Sequence, residues 1–239
     1  MNEKIKNLKI KLFADGAEIE VIREMAKNPL IKGFTTNPTL MRKAGLEDYV
    51  GFSKKVIEMI PDYPLSLEVF SDDFSEMEIQ AKEIASWGKN VFVKIPITNT
   101  KGEFCGDLVK RLAGSGIQVN VTAMMTMEQT ERILTCLNPE VRSNISIFAG
   151  RIADTGIDPL PLMREVMAAV KSNPKCELIW ASPRELLNVF HAESVGCHII
   201  TATTDILKKL SLVGKDLEEY SLDTVKMFYN DATSAGYKI

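Results

Sequence analysis

The stretch Val91-Phe92-Val93-Lys94-Ile95-Pro96-Ile97-Thr98 has the composition of a buried strand with a lysine in its middle. On a two-residue period Val91, Val93, Ile95 and Ile97 share one face, and Phe92, Lys94 and Pro96 share the other. Lys94 is then either a solvated lysine on an edge strand or a lysine held inside the fold. Inside, desolvation favours the free amine, and a free amine is a nucleophile towards carbonyl carbon. Neighbouring segments carry polar residues in the same phase. Ser66, Glu68 and Phe70 oppose Leu65, Leu67 and Val69. Lys11, Phe13 and Asp15 oppose Ile10, Leu12 and Ala14. Asn120 and Thr122 oppose Val119 and Val121, and another apolar segment runs into Thr35-Thr36-Asn37-Pro38.

This set predicts Schiff-base chemistry. An iminium on Lys94 would withdraw electrons from an adjacent C–C bond. Glu68 is the first candidate to move protons on and off the carbinolamine, working through a water that Thr122 helps hold. Asp15 would accept a proton from a substrate hydroxyl. Asn37 would orient another hydroxyl, with Thr36 and Asn120 as further substrate contacts. Two of these residues have structural explanations as well. Asp15, three residues before Glu18, could cap a helix, and Asn37 before Pro38 is a common turn residue.

A second group points to an anion. Ser182-Pro183-Arg184-Glu185 reads as a helix start, with Ser at N-cap, Pro at N1 and Glu at N3. Arg184 would then sit at N2, where the helix dipole disfavours a cation unless an anion is bound. Arg151 would complete a phosphate clamp with Ser182 and Arg184 through its bidentate fit, the alternative being a surface ion pair with Asp154.

These residues must be positioned by a repeating unit. Strand patterns fall at 9–15, 33–36, 65–70, 91–97, 118–123, 145–149, 177–181 and 198–202, and helical patterns at 18–27, 46–60, 74–87, 104–113, 127–137, 160–171, 183–194 and 205–210. Turn residues separate them. Eight βα units without a linker predict an α/β fold, a closed (β/α)8 TIM barrel over residues 1–210, whose catalytic groups sit at the C-terminal ends of the strands. A doubly wound open sheet is the alternative. It would be expected to bring a glycine-rich phosphate loop after its first strand, and Ala14-Asp15-Gly16-Ala17 is not one. Residues 211–239 form an extension of the same domain. A helix at 217–235 repeats Val225, Phe228, Tyr229, Ala232 and Ala235 near helical spacing, and would cover one barrel end or pack on another subunit.

The chain has 239 residues and a formal net charge of −3, from 29 basic and 32 acidic residues. That balance gives no reason to expect nucleic acid or an anionic membrane as partner. No apolar run approaches a membrane span, and the first eleven residues lack a signal-peptide core. Cys105, Cys136, Cys176 and Cys197 are scattered and read as free thiols in a reducing cytoplasm. His191 and His198 lack metal-ligand spacing, so no metal site is expected.

The motifs Phe13-Ala14-Asp15-Gly16, Gly33-Phe34-Thr35-Thr36-Asn37-Pro38, Leu67-Glu68-Val69, Val93-Lys94-Ile95-Pro96, Asn120-Val121-Thr122, Phe148-Ala149-Gly150-Arg151 and Ala181-Ser182-Pro183-Arg184 occur in an order that resembles the transaldolase family. More narrowly, the chain is similar to the short bacterial-type subfamily that also contains fructose-6-phosphate aldolase. The resemblance runs from Leu12 to about Leu210. It implies a class I aldolase-type barrel with Lys94 as Schiff-base residue, Asp15 and Glu68 in proton transfer and Thr122 at the catalytic water. It also implies Asn37 in substrate binding and Arg151, Ser182 and Arg184 at the phosphate. Sugar phosphates would be the substrates, and no metal or organic cofactor would be needed because the lysine is the electron sink.

Family transaldolases carry glutamate and phenylalanine at the positions of Glu68 and Phe148, where the aldolase branch carries glutamine and tyrosine. The pair found here implies transfer of a dihydroxyacetone unit between a ketose phosphate and an aldose phosphate. Release of free dihydroxyacetone is the alternative, and a non-catalytic phosphosugar-binding barrel is the alternative from another class. Ile147 and Pro183 depart from the family's usual proline and phenylalanine, both at the phosphate end. Short members are ring-forming oligomers whose last helix docks on a neighbour, so the resemblance implies a homo-oligomer through the C-terminal helix.

Overall fold

In a computed structural model describing residues 2–239, eight parallel strands close into one barrel in sequence order. They are β1 (Lys11–Asp15), β2 (Ile31–Thr35), β3 (Leu65–Glu68), β4 (Val91–Pro96), β5 (Val119–Met124), β6 (Ser143–Ile147), β7 (Cys176–Trp180) and β8 (Ile199–Thr203). β8 pairs back on β1, with Lys11 opposite Ile199 and Asp15 opposite Thr203. The predicted βα series is therefore present, as a closed barrel and not an open sheet. Closure removes every sheet edge, so Lys94 cannot be an edge-strand lysine.

The helices are α1 (Glu3–Lys6), α2 (Ile19–Ala26), α3 (Pro38–Lys43), α4 (Tyr49–Met59), α5 (Phe74–Ser86), α6 (Gly106–Gly114), α7 (Met127–Leu134), α8 (Ala149–Asp154), α9 (Leu160–Val170), α10 (Leu187–Ser194), α11 (Thr204–Lys208), continued by a 3-10 turn at Lys209–Leu212, and α12 (Leu217–Ser234). The starts of the long helices are written locally. Asp48, Asp73 and Thr126 each accept a backbone N–H of the first turn, and Thr126 forms a capping box with Gln129. Periodicity did not reveal α1, α3 and α8, which are too short to show a 3.6-residue pattern.

Two apolar regions hold the barrel. The outward strand residues, among them Leu12, Leu67, Val93, Ile95 and Val121, are buried against the helices. Inside, Phe13, Ile179, Ala181 and Ile199 form a small cluster with Phe148 packed on it. Gly33 is required there, because a Cβ at that position would lie 2.4 Å from the Phe13 ring. α12 differs from the other helices in having no buried residue, and exposes Leu217, Val225, Phe228 and Tyr229. It does not cover a barrel end. Among the described residues, no helix is long and apolar enough to cross a membrane.

Gly33→Ala should lower stability by about 1–3 kcal/mol through overpacking. The loss should be smaller in a Phe13→Leu background, read from denaturant unfolding of the four members of the cycle.

Candidate active site

The C-terminal ends of the strands surround a cavity of about 490 Å³. Its lining includes Asp15, Asn37, Glu68, Lys94, Asn120, Thr122, Phe148, Arg151, Ser182 and Arg184, so residues far apart in the chain meet as the strand phase predicts. Thr36 is the exception. Its side chain is fully buried off the cavity, and its backbone carbonyl accepts a hydrogen bond of 2.9 Å from Lys94 Nζ.

Lys94 is 7% exposed, and its Nζ also donates to Glu68 Oε2 at 2.9 Å. β3 and β4 place Glu68 directly beside Lys94 in register. Tyr49 helps to fix that strand end by donating its hydroxyl to the Glu68 carbonyl at 3.0 Å. Burial pushes the Tyr49 phenol up, so it remains a protonated donor. One tier below, Asn120 donates to Ser66 Oγ at 3.1 Å and accepts from Ser146 Oγ at 2.8 Å. Its amide is thus held by both neighbours across the barrel.

Asp15 does not cap a helix. α2 begins under Glu18, which makes no side-chain cap bond. Asp15 instead accepts from the Thr35 hydroxyl at 2.8 Å, and Thr35 Oγ1 lies 2.5 Å from Thr201 Oγ1. Burial raises the Asp15 carboxyl above its ordinary value. Lys94 and the Thr35 bond oppose that rise, and Glu68 adds to it.

Asn37 serves the chain and faces the cavity at once. Its Oδ1 caps α3 by accepting from Leu40 N at 2.9 Å, with Pro38 at the first helical position. Its amide nitrogen remains for a ligand. Thr122 is 2% exposed, and its hydroxyl has no hydrogen-bond partner among the described residues. A register irregularity between Val121 and Met124, with Ala123 at φ 62°, turns the chain just after it. An unpaired hydroxyl in a polar cavity is a natural holder for a water or a substrate oxygen.

The phosphate end differs from the expectation. Ser182 is not an N-cap, and α10 starts only at Leu187. Ser182 has φ 59°, outside the extended region that a cap requires. The side chain of Asn188 takes the N–H groups of Arg184 and Glu185 at 2.8 and 3.3 Å, holding this segment as a loop. The helix-dipole argument for Arg184 therefore fails. Arg184 forms a two-pronged ion pair with Asp154 instead, through Nε at 3.0 Å and through Nη2.

Arg151 lies in α8, not in a loop. It is exposed, has no carboxylate partner among the described residues, and stands 5.8 Å from the Phe148 ring. Gly150 makes the junction possible, since a Cβ there would sit 1.5 Å from the Ser182 carbonyl oxygen. The two arginines thus border one cavity from adjacent strands, one free and one tied to Asp154.

Thr35, Ser146 and Thr201 also line the cavity and are not among the expected site residues. Extending the two-residue period to the strands at 143–147 and 199–203 would have found Ser146 and Thr201. Nothing local marks Thr35 as the Asp15 partner. Among the described residues no group of three or more His, Cys, Asp or Glu is gathered to hold a metal ion.

A closed (β/α)8 barrel that gathers Lys94, Glu68 and Asp15 around a cavity at the C-terminal ends of its strands has the layout of a barrel enzyme. Comparisons narrow the class. The family model described as Transaldolase/Fructose-6-phosphate aldolase matches residues 12–239, and the chain belongs to that family. A protein of Thermoanaerobacter sp. named "Probable transaldolase" is 32% identical over 231 residues, covering 96% of this chain and 100% of that one. A "Probable transaldolase" of Dehalococcoides mccartyi is 32% identical over 202 residues, covering 84% and 90%. Among solved structures, one described as "Native KDPGal structure" superimposes with a TM-score of 0.56 at 10% identity over 83% of this chain and 84% of that one, a likeness of fold. The protein is an enzyme of the aldolase class.

Because the Asp15 carboxyl is raised in the folded state, its ionisation opposes folding. Its contribution to stability is complete below the ordinary value of 3.8 and is lost as pH rises through the folded value. Asp15→Asn should therefore gain stability relative to wild type as pH is raised from below 4 towards neutrality, measured as the difference in unfolding midpoints.

Proposed function

We propose that the protein is a transaldolase, moving a dihydroxyacetone unit from a ketose phosphate, such as fructose 6-phosphate or sedoheptulose 7-phosphate, to an aldose phosphate. The observation that carries this reading is Lys94 Nζ, buried at the catalytic mouth and 2.9 Å from Glu68. Glu68 takes the ammonium proton, and the amine attacks the C2 ketone. Loss of water from the carbinolamine, with Glu68 returning a proton through a water beside Thr122, forms the iminium. Asp15 accepts the C4 hydroxyl proton, the C3–C4 bond breaks, and its electron pair moves into the iminium to give an enamine on Lys94. The shortened aldose leaves. An acceptor aldehyde then takes the enamine carbon and a proton from Asp15, and hydrolysis of the new iminium restores the lysine.

Asn37 and Asn120 hold donor hydroxyls, while Arg151, Ser182 and Arg184 take the phosphate. Phe148 supports transfer over release. It has no hydroxyl with which to hold a water that would protonate the enamine.

Borohydride trapping with fructose 6-phosphate, followed by peptide mass spectrometry, tests the reading. A reduced three-carbon adduct should appear on the Lys94 peptide, be absent in Lys94→Met, and be discharged by erythrose 4-phosphate added before the reductant. An adduct cleared equally fast by water alone would favour the aldolase reading, and no adduct from any ketose phosphate would overturn both. Arg151→Gln should raise KM for phosphorylated donors by about tenfold or more with little change in kcat, since a charge-assisted phosphate contact is lost.

The same reading includes assembly. α12 has no buried residue and presents exposed apolar side chains, among them Leu217, Phe228 and Tyr229, which supports docking on a second copy. Sedimentation should show a homo-oligomer, and a chain ending at Val213 should sediment as a smaller species with its barrel intact by circular dichroism.

A further inference from the structure

The opposite, N-terminal mouth of the barrel holds a second well, rimmed by charged residues, that the proposed chemistry does not use. It has a volume of about 280 Å³ and is lined by Lys11, Lys32, Arg142, Glu177 and Asn144 over a floor that includes Phe13 and Phe92. The interior cluster of Phe13, Ile179, Ala181 and Ile199 separates it from the catalytic mouth.

Three features distinguish this well from an ordinary charged surface. First, its charge is unbalanced. Glu177 neutralises Lys11 at 2.6 Å, while Lys32 and Arg142 have no carboxylate partner among the described residues. His198, beside Glu177 and Lys11, has its imidazole lowered chiefly by burial and adds no positive charge at neutral pH. Second, the two free cations are placed by the fold. The pairing of β1 with β2 skips a residue, Leu12 facing Ile31 and Phe13 facing Gly33, so Lys32 is the extra residue of a bulge and turns to the rim. Arg142 is held over the Phe92 ring, 5.1 Å from its centroid. Third, Asn144 is 1% exposed, lines the well and has no hydrogen-bond partner for Oδ1 among the described residues. A buried amide left unpaired is costly and points to an absent partner.

We propose that this mouth is a binding site for a phosphate group, either inorganic phosphate or the phosphate of a small organic ester. Arg142 and Lys32 supply charge-assisted donors, and Asn144 Oδ1 accepts from a protonated phosphate oxygen at the base. The volume takes a phosphate with a few attached carbons and no more. The site is independent of the catalytic phosphate clamp.

Titration of the full-length protein with inorganic phosphate tests this, followed through the Asn144 side-chain amide in asparagine-labelled NMR spectra and by calorimetry. The Asn144 signal should shift in a saturable way in wild type and equally in Arg151→Gln. In Lys32→Gln/Arg142→Gln, two surface substitutions that spare the core, affinity should fall about tenfold or more. Glycerol 3-phosphate binding more tightly than inorganic phosphate would identify an organic ester as ligand, and equal binding would identify the phosphate alone. The proposal is overturned if Asn144 does not respond, if sodium chloride at equal ionic strength gives the same response, or if the response is lost in Arg151→Gln but intact in the double variant.

Discussion

A lysine and a glutamate are held against each other inside a barrel, and most of the site is arranged around that pair. Ion pairs taken out of water return little net stability against apolar residues of the same volume, yet breaking one leaves an uncompensated charge at a cost of about 3–5 kcal/mol. Lys94 and Glu68 are therefore kept together by mutual necessity, directly opposite each other on the adjacent strands β3 and β4. The surrounding side chains finish the arrangement. Thr36 offers its carbonyl to the ammonium and Tyr49 binds the Glu68 carbonyl. Asp15 lies near enough to both charges to feel each of them.

That pair divides the barrel interior by function. Apolar side chains fill the region around Phe13, Ile179 and Ile199. The tiers nearer the catalytic mouth are polar and cross-linked: Thr35 to Thr201 and Asp15, Asn120 to Ser66 and Ser146. A polar interior is costly unless its groups are satisfied. The hydroxyl of Thr122 stands out as unsatisfied within the network, beside the irregular turn at Ala123. Local irregularity falls where the cavity needs groups aimed by the backbone, at Ala123 and again at Ser182, the two non-glycine residues with positive φ among those described. At the N-terminal mouth the bulge at Lys32 does similar work with a cation.

Much of the site was legible because strands have a period of two. Once Lys94, Glu68, Asp15 and Asn120 are assigned to inward positions, closure of the barrel brings them together with no further information. Legibility ended where the period ends. Ser182, Pro183 and Arg184 have the composition of a helix start, but Ser182 adopts a left-handed conformation and Asn188 takes the N–H groups that a helix would have used. The ion pair weighed as the alternative for Arg151, with Asp154, is made by Arg184 instead. Both corrections involve the loop that holds Ser182 and Arg184, where Asn188 takes the N–H groups and Asp154, thirty residues away, takes the guanidinium. Asn37 shows the intermediate case, in which the turn role and the cavity position are both realised by one amide.

Hydrophobic period and motif order are local properties of the chain, so the amino-acid order alone carries the repeat of strand and helix, the inward phase of the polar residues and membership of an aldolase-class family. The folded barrel adds that Lys94 meets Glu68 and the Thr36 carbonyl, that Arg184 is bound to Asp154 while Arg151 has no carboxylate partner among the described residues, that Asn144 Oδ1 lies unpaired in one well with Lys32 and Arg142, and that α12 buries none of its residues. Those outcomes depend on barrel closure, bulges and loop conformation, which set distances between residues that no spacing along the chain encodes.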